Sequence, residues 1–134
     1  MSRATVELPA GTRAFLTRPR TATLTTLRPD GTPHVTPVHF TFDAATCLVR
    51  VTTRAAARKA RNVSAGGPAA RVALCQADSF RWVTLEGRAA VTDDPACLAE
   101  AVRRYTARYR TTPPTPSDLV VVEIAVDRVL SLNL

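Results

Sequence analysis

Residues 21–38 read Thr21-Ala22-Thr23-Leu24-Thr25-Thr26-Leu27-Arg28-Pro29-Asp30-Gly31-Thr32-Pro33-His34-Val35-Thr36-Pro37-Val38, and this stretch decides the architecture. The first seven residues are rich in β-branched side chains and alternate apolar with polar, the period of a half-buried strand. Arg28-Pro29-Asp30-Gly31 then supplies turn chemistry, with proline preset for the second turn position and glycine free to take positive φ. The return arm, 33–42, completes a hairpin. Its prolines, Pro33 and Pro37, cannot donate to a ladder, so this arm is bulged or lies at an edge.

The same grammar extends outward in both directions. Residues 8–18 read as a short opening helix stopped by Pro19. After the turn Asp43-Ala44-Ala45-Thr46, a strand is expected at 47–53, then a short helix over 55–65 ended by Gly66-Gly67-Pro68. Strands follow at 70–76 and 82–91. Gly87, inside the second of these, signals a bulge or a close backbone approach. Asp94 is suited to N-cap a helix with Pro95 in its first position, and Leu98, Val102, Tyr105 and Tyr109 recur at helical spacing. A proline-rich loop, 111–117, precedes one long bent strand or two short ones, 119–125 and 128–132, broken at Asp127. The sum is about six strands with short helices inserted and hairpin-like connections. That predicts a mainly β (α+β) antiparallel barrel in one domain, 1–134, not a doubly wound sheet.

Composition narrows the function classes. The chain has 134 residues and 46% hydrophobic content, enough for one core. No uncharged run approaches a membrane span and no apolar stretch follows the N-terminal charges, so a cytoplasmic protein is expected. Cys47, Cys75 and Cys97 are odd in number and lack short pair spacing, which argues against a disulfide framework or structural zinc. They read as small core hydrophobes. A net charge of +7 raises nucleic acid as a partner. Lys59 is the sole lysine, however, and the arginines are scattered from Arg3 to Arg128 instead of forming a stripe. The arginine bias, with abundant Ala, Thr and Pro, reads as the mark of a GC-rich genome, and no nucleic-acid role is expected.

Candidate chemistry is sparse. No phosphate-binding glycine loop occurs. His34 and His39, five apart on one expected strand, point to opposite faces and cannot share a metal. No metal site and no catalytic set is assigned. His39 reads as a half-exposed strand histidine, and His34 as either that or a pocket residue. The segment Thr52-Thr53-Arg54-Ala55-Ala56-Ala57-Arg58-Lys59-Ala60-Arg61-Asn62 is different. A strand ends in two hydroxyls and a helix begins with basic residues, which together form either a phosphate cradle or a solvated basic face. Trp82 and Phe80 are candidates to stack on a planar cofactor or to pack as ordinary aromatics. Glu86 and Arg88 read as a structural pair on one strand face.

The hairpin 22–38 resembles the opening of the pyridoxamine-phosphate-oxidase-like family. So do Arg58-Lys59-Ala60-Arg61-Asn62-Val63, then Pro68 with 70–74, and Leu85-Glu86-Gly87-Arg88-Ala89, in that order over roughly residues 15–134. The likeness is greatest to the short actinobacterial branch that uses the deazaflavin coenzyme F420. The resemblance implies a split β-barrel homodimer with the cofactor at the interface and FMN as the alternative cofactor. It implies that Thr52, Thr53, Arg58, Lys59 and Asn62 bind the cofactor phosphate and nearby tail, and that Thr36, Pro37 and Val38 face the ring. Phe80 and Trp82 would approach from the partner subunit. One departure is Ala57, where relatives of this branch carry a basic residue, leaving Arg58 to substitute from another direction. The C-terminal Arg/His set of true pyridoxamine-phosphate oxidases is lacking, so oxidation of that vitamin is not expected. The activity implied is hydride transfer to an unsaturated small molecule, or, in a different class, cofactor carriage without turnover.

Overall fold

A computed structural model describes residues 6–134. In chain order the elements are α1 (Ala10–Leu16), β1 (Ala22–Leu27), β2 (Pro33–Val38), β3 (Thr41–Asp43), β4 (Leu48–Arg54), α2 (Arg58–Gly66), a 3-10 turn (Gly67–Ala69), β5 (Arg71–Asp78), β6 (Arg81–Thr92), α3 (Pro95–Tyr109) and β7 (Leu119–Leu132). The strands form one antiparallel sheet in the order β2-β1-β5-β6-β7-β4-β3. It closes around Leu24, Val49, Val51, Leu74, Val83, Leu85, Val122 and Ile124, all buried. Each such side chain contributes about 1.5–3 kcal/mol by leaving water. The fold is the expected split β-barrel.

There are seven strands where the sequence suggests six, because the 33–42 arm divides. The Phe40 N–H donates to the Tyr109 hydroxyl (3.0 Å) and the Phe40 carbonyl accepts from it (3.1 Å), so this residue leaves the ladder. β2 is the outermost strand, where Pro33 and Pro37 cost no hydrogen bond. β4 starts at Leu48 and not at Cys47, whose φ of +53° interrupts extended backbone. α2 starts at Arg58 and not at Ala55. The N–H groups of Ala55 and Ala56 are already committed to the Asp118 carbonyl and carboxylate, respectively.

β7 runs unbroken through Asp127, which is the extra residue of a bulge: Gly87 pairs with Val126 and Glu86 with Arg128. The bulge brings β7 so close that a Cβ on Gly87 would lie 2.0 Å from the Ala125 carbonyl oxygen. α3 is capped as its sequence requires, the Asp94 carboxylate accepting from the Cys97 N–H at 3.1 Å. It lies against β3, β4 and β7. Registers align one outer row across β2, β1, β5, β6 and β7 as Pro37, Thr23, Cys75, Thr84 and Leu130. This outer face leaves Leu27, Val35, Leu130 and Leu132 exposed, Val35 at 59%.

Candidate functional site

Three chain segments meet at the mouth of the barrel. β2 ends at Val38 and turns through His39, β4 delivers Val51, Thr52 and Thr53, and the first turn of α2 presents Lys59. With Tyr105 of α3, Pro37, Val38, His39, Thr52 and Lys59 line a cleft of about 330 Å³. Thr52, Thr53 and Arg54 continue into an adjoining cavity of about 530 Å³ beneath the 114–116 loop.

One cation dominates the cleft. Lys59 is half-buried and, among the described residues, has no carboxylate within ion-pair distance, and burial lowers the pKa of its ammonium. An anion in the cleft would return that charge to a favourable setting. Ala57 stands at the N-cap of α2 without a side-chain acceptor, so no side chain caps the first N–H groups of this helix. Arg58 is exposed at the same helix start. The β4–α2 connection is pinned from behind by Asp118, which takes Arg54 Nε at 3.1 Å and the Ala56 N–H at 3.4 Å. Burial alone would raise the Asp118 pKa, but the Ala56 N–H and the Arg54 charge outweigh it and hold it below 3.8.

The opposite wall is aromatic. The Tyr105 hydroxyl lies 2.7 Å from His39 Nδ1, and the Tyr109 ring stacks on the imidazole with centroids 4.4 Å apart and planes inclined by 17°. Tyr109 is fixed in turn, its hydroxyl reaching the Arg20 and Phe40 carbonyls at 3.1 Å each. Burial, then the neighbouring Tyr109, raises the Tyr105 pKa, so this phenol keeps its proton.

Of the residues expected from sequence, Pro37, Val38, Thr52 and Lys59 line the cleft and Thr53 lines the adjoining cavity, whereas Arg58 is exposed at the start of α2 and lines neither. Thr36 lies on β2 opposite Leu24, on the inner face and outside the cleft lining. Asn62 is buried and turned away: its Nδ2 donates to Thr26 Oγ1 at 3.0 Å, beside a separate cavity of about 310 Å³ at the hairpin base. Phe80, 81% exposed, and Trp82 belong to the β5–β6 hairpin end. Three strand spacings of about 4.8 Å separate the strands of Pro37 and Trp82, so one protomer does not bring these aromatics to its own cleft. His39 departs from its expected role as a strand histidine. Tyr105 and Tyr109 were legible only as an apolar helix stripe, although a buried tyrosine hydroxyl needs a partner. Among the described residues no group of three or more His, Cys, Asp or Glu side chains could hold a metal.

The fold defines a split β-barrel protein, with a cleft at its mouth that holds one half-buried lysine. The chain belongs to the pyridoxamine 5'-phosphate oxidase family, whose model matches residues 8–133. It is 45% identical over 130 residues to an F420H(2)-dependent biliverdin reductase of Mycobacterium tuberculosis, covering 97% of this chain and 92% of that protein. Among solved structures it resembles the conserved hypothetical protein Rv2991 of M. tuberculosis, with 28% identity and a TM-score of 0.75 over 98% of this chain and 88% of that one. It likewise resembles an F420 reductase, with 28% identity and a TM-score of 0.72 over 92% of this chain and 98% of that one.

Proposed function

We propose that this protein is an F420-dependent oxidoreductase that reduces an unsaturated small molecule. The observation that carries this reading is the half-buried Lys59, without an ion pair among the described residues, beside Thr52, in a chain 45% identical to an F420H(2)-dependent reductase. The residues fit the group. Lys59, the open start of α2 and the Thr52 and Thr53 hydroxyls would hold a phosphate, with Arg58 exposed at the same helix start, while Pro37 and Val38 offer an apolar wall to a planar ring. When bound, the reduced deazaflavin supplies the hydride. The protein's own part is to orient that ring against β2, neutralise the anion, and keep the opposite side of the cleft open for substrate.

The reading includes a homodimer in the cytoplasm. The outer sheet face leaves Leu27, Val35, Leu130 and Leu132 exposed beside Trp82, an apolar area of the kind that a second copy covers. Such a dimer would bring Phe80 and Trp82 of the partner subunit toward the cleft. No helix among the described residues is long and apolar enough to cross a membrane.

The test is a fluorescence titration of the purified protein with F420 and with FMN, followed by steady-state assays of reduced F420 with enone, quinone and tetrapyrrole acceptors. Preference for F420 with turnover of one of these supports the proposal. Tighter FMN binding moves the protein to the flavin side of the fold, and binding without turnover of any acceptor makes it a carrier.

A further inference from the structure

We propose that His39 is the proton donor of this reaction and that Tyr105 and Tyr109 are the residues that position it. The inference rests on the proposed function and deepens it, because hydride addition to a double bond leaves a carbon that must still take a proton.

His39 is the imidazole of the cleft lining, and its place is over-determined. Its Nδ1 is engaged by the Tyr105 hydroxyl at 2.7 Å, its ring face is covered by Tyr109, and the next residue is tethered through both backbone groups of Phe40 to the same Tyr109. Two tyrosines one turn apart on α3 thus hold one histidine that has left the strand. The Tyr105 ring is buried, whereas His39 is exposed at the mouth, so Nε2 is the ring nitrogen left to meet a substrate. The groups facing it from the packed elements are Lys59 of α2 and Tyr105 and Tyr109 of α3. No carboxylate lines the cleft among the described residues, so no acidic side chain competes for the role.

A hydride released from the C–H bond of the reduced cofactor, which would be left oxidised by two electrons, would form a C–H bond at one end of the substrate's double bond as the π electron pair moves to the other end. That atom takes the proton from Nε2 of the imidazolium, while Nδ1–H stays hydrogen-bonded to the Tyr105 oxygen. The ring returns to neutral imidazole and is recharged from solvent.

The test combines kinetics with a measurement on the free protein. His39→Ala should retain the F420 affinity of the wild type in the titration yet lose about 10²-fold or more in kcat, and added imidazole should restore part of the rate. Tyr105→Phe should leave affinity unchanged and lower kcat less. In the ligand-free protein, nitrogen-15 NMR of the neutral ring should place its proton on Nδ1, with that preference weakened in Tyr105→Phe. A His39→Ala variant with wild-type kcat, a loss that imidazole does not restore, or a neutral ring that carries its proton on Nε2 overturns the assignment. A wild-type protein that binds no F420 overturns the proposed function instead, and the NMR result then decides alone whether the ring is poised as drawn.

Discussion

The β6–β7 seam and the barrel mouth are held by opposite means. At the seam the backbones are locked by contact: Gly87 opposes the bulge at Asp127, with the Ala125 carbonyl where a side chain would stand. Leu85 and Ile124 are fully buried on the strands alongside. At the mouth polar links and one ring stack join residues far apart in the chain: His39 to Tyr105 and Tyr109, Phe40 to Tyr109 through both backbone groups, and Arg54, Ala55 and Ala56 to Asp118. A seam built by exclusion tolerates no change of volume. A mouth built by hydrogen bonds keeps exposed, chargeable groups in fixed places, and a site requires that.

The largest effect is expected at Gly87→Ala. The new methyl would meet backbone that cannot swing aside, so the bulge must open or β6 must part from β7. A loss of about 3 kcal/mol or more is expected by chemical denaturation, at the upper end for a single added methyl. F420 affinity should survive in whatever fraction remains folded. A variant as stable as the wild type would show that the seam is not rigid.

Lys59→Ala inverts the pattern. Thermal stability should hardly move, since the ammonium makes no ion pair among the described residues, whereas F420 affinity should fall by about 1.5–3 kcal/mol, the range for a charge-assisted hydrogen bond. The wild type adds a pH signature. Burial lowers the Lys59 pKa below 10.5, and an anionic ligand binds the charged form. Affinity should therefore decline with rising pH earlier than it would for an exposed lysine, and the decline should vanish in Lys59→Ala.

The seam and the mouth differ likewise in how far their causes lie within a few neighbouring residues of the sequence. Gly87, Asp94, Pro95 and the Arg28–Gly31 turn announce local geometry, because each solves a backbone problem within its own few residues. The hairpin, the edge position of β2 and the α3 cap could all be read from them. Lys59 with Thr52 and Thr53 was legible as well, since a strand end and a helix start lie next to each other in sequence. The division of the 33–42 arm was not, because its cause is Tyr109, 69 residues away. The start of α2 was hidden for a similar reason, its expected first turn being claimed by Asp118. Asn62 carries the right chemistry for the cleft, but its helix phase points it at Thr26.

Tyr109→Phe tests the tether with a smaller expected effect. The ring and its stacking on His39 remain, but the Phe40 N–H loses its partner, at a cost of about 1–2 kcal/mol if solvent does not replace it. Slower amide exchange at Phe40 in the wild type than in the variant would confirm that this single hydroxyl breaks the strand. Equal exchange would mean that the β2–β3 division has another cause.

The smallest effect is expected at Asp118→Asn. The wild-type carboxylate has a folded pKa held below 3.8 by the Ala56 N–H and Arg54. A carboxyl group depressed on folding stabilises the protein above its ordinary pKa, and that contribution disappears as pH falls through the folded value. Because the pair is exposed, solvent screens most of it, so the variant should melt only slightly lower at neutral pH. The difference between the two melting curves should shrink to nothing as pH is taken below 3.8. A difference that persists in acid would mean that Asp118 holds the β4–α2 connection through its shape and neutral hydrogen bonds, and that the mouth resembles the seam more than its polar links suggest.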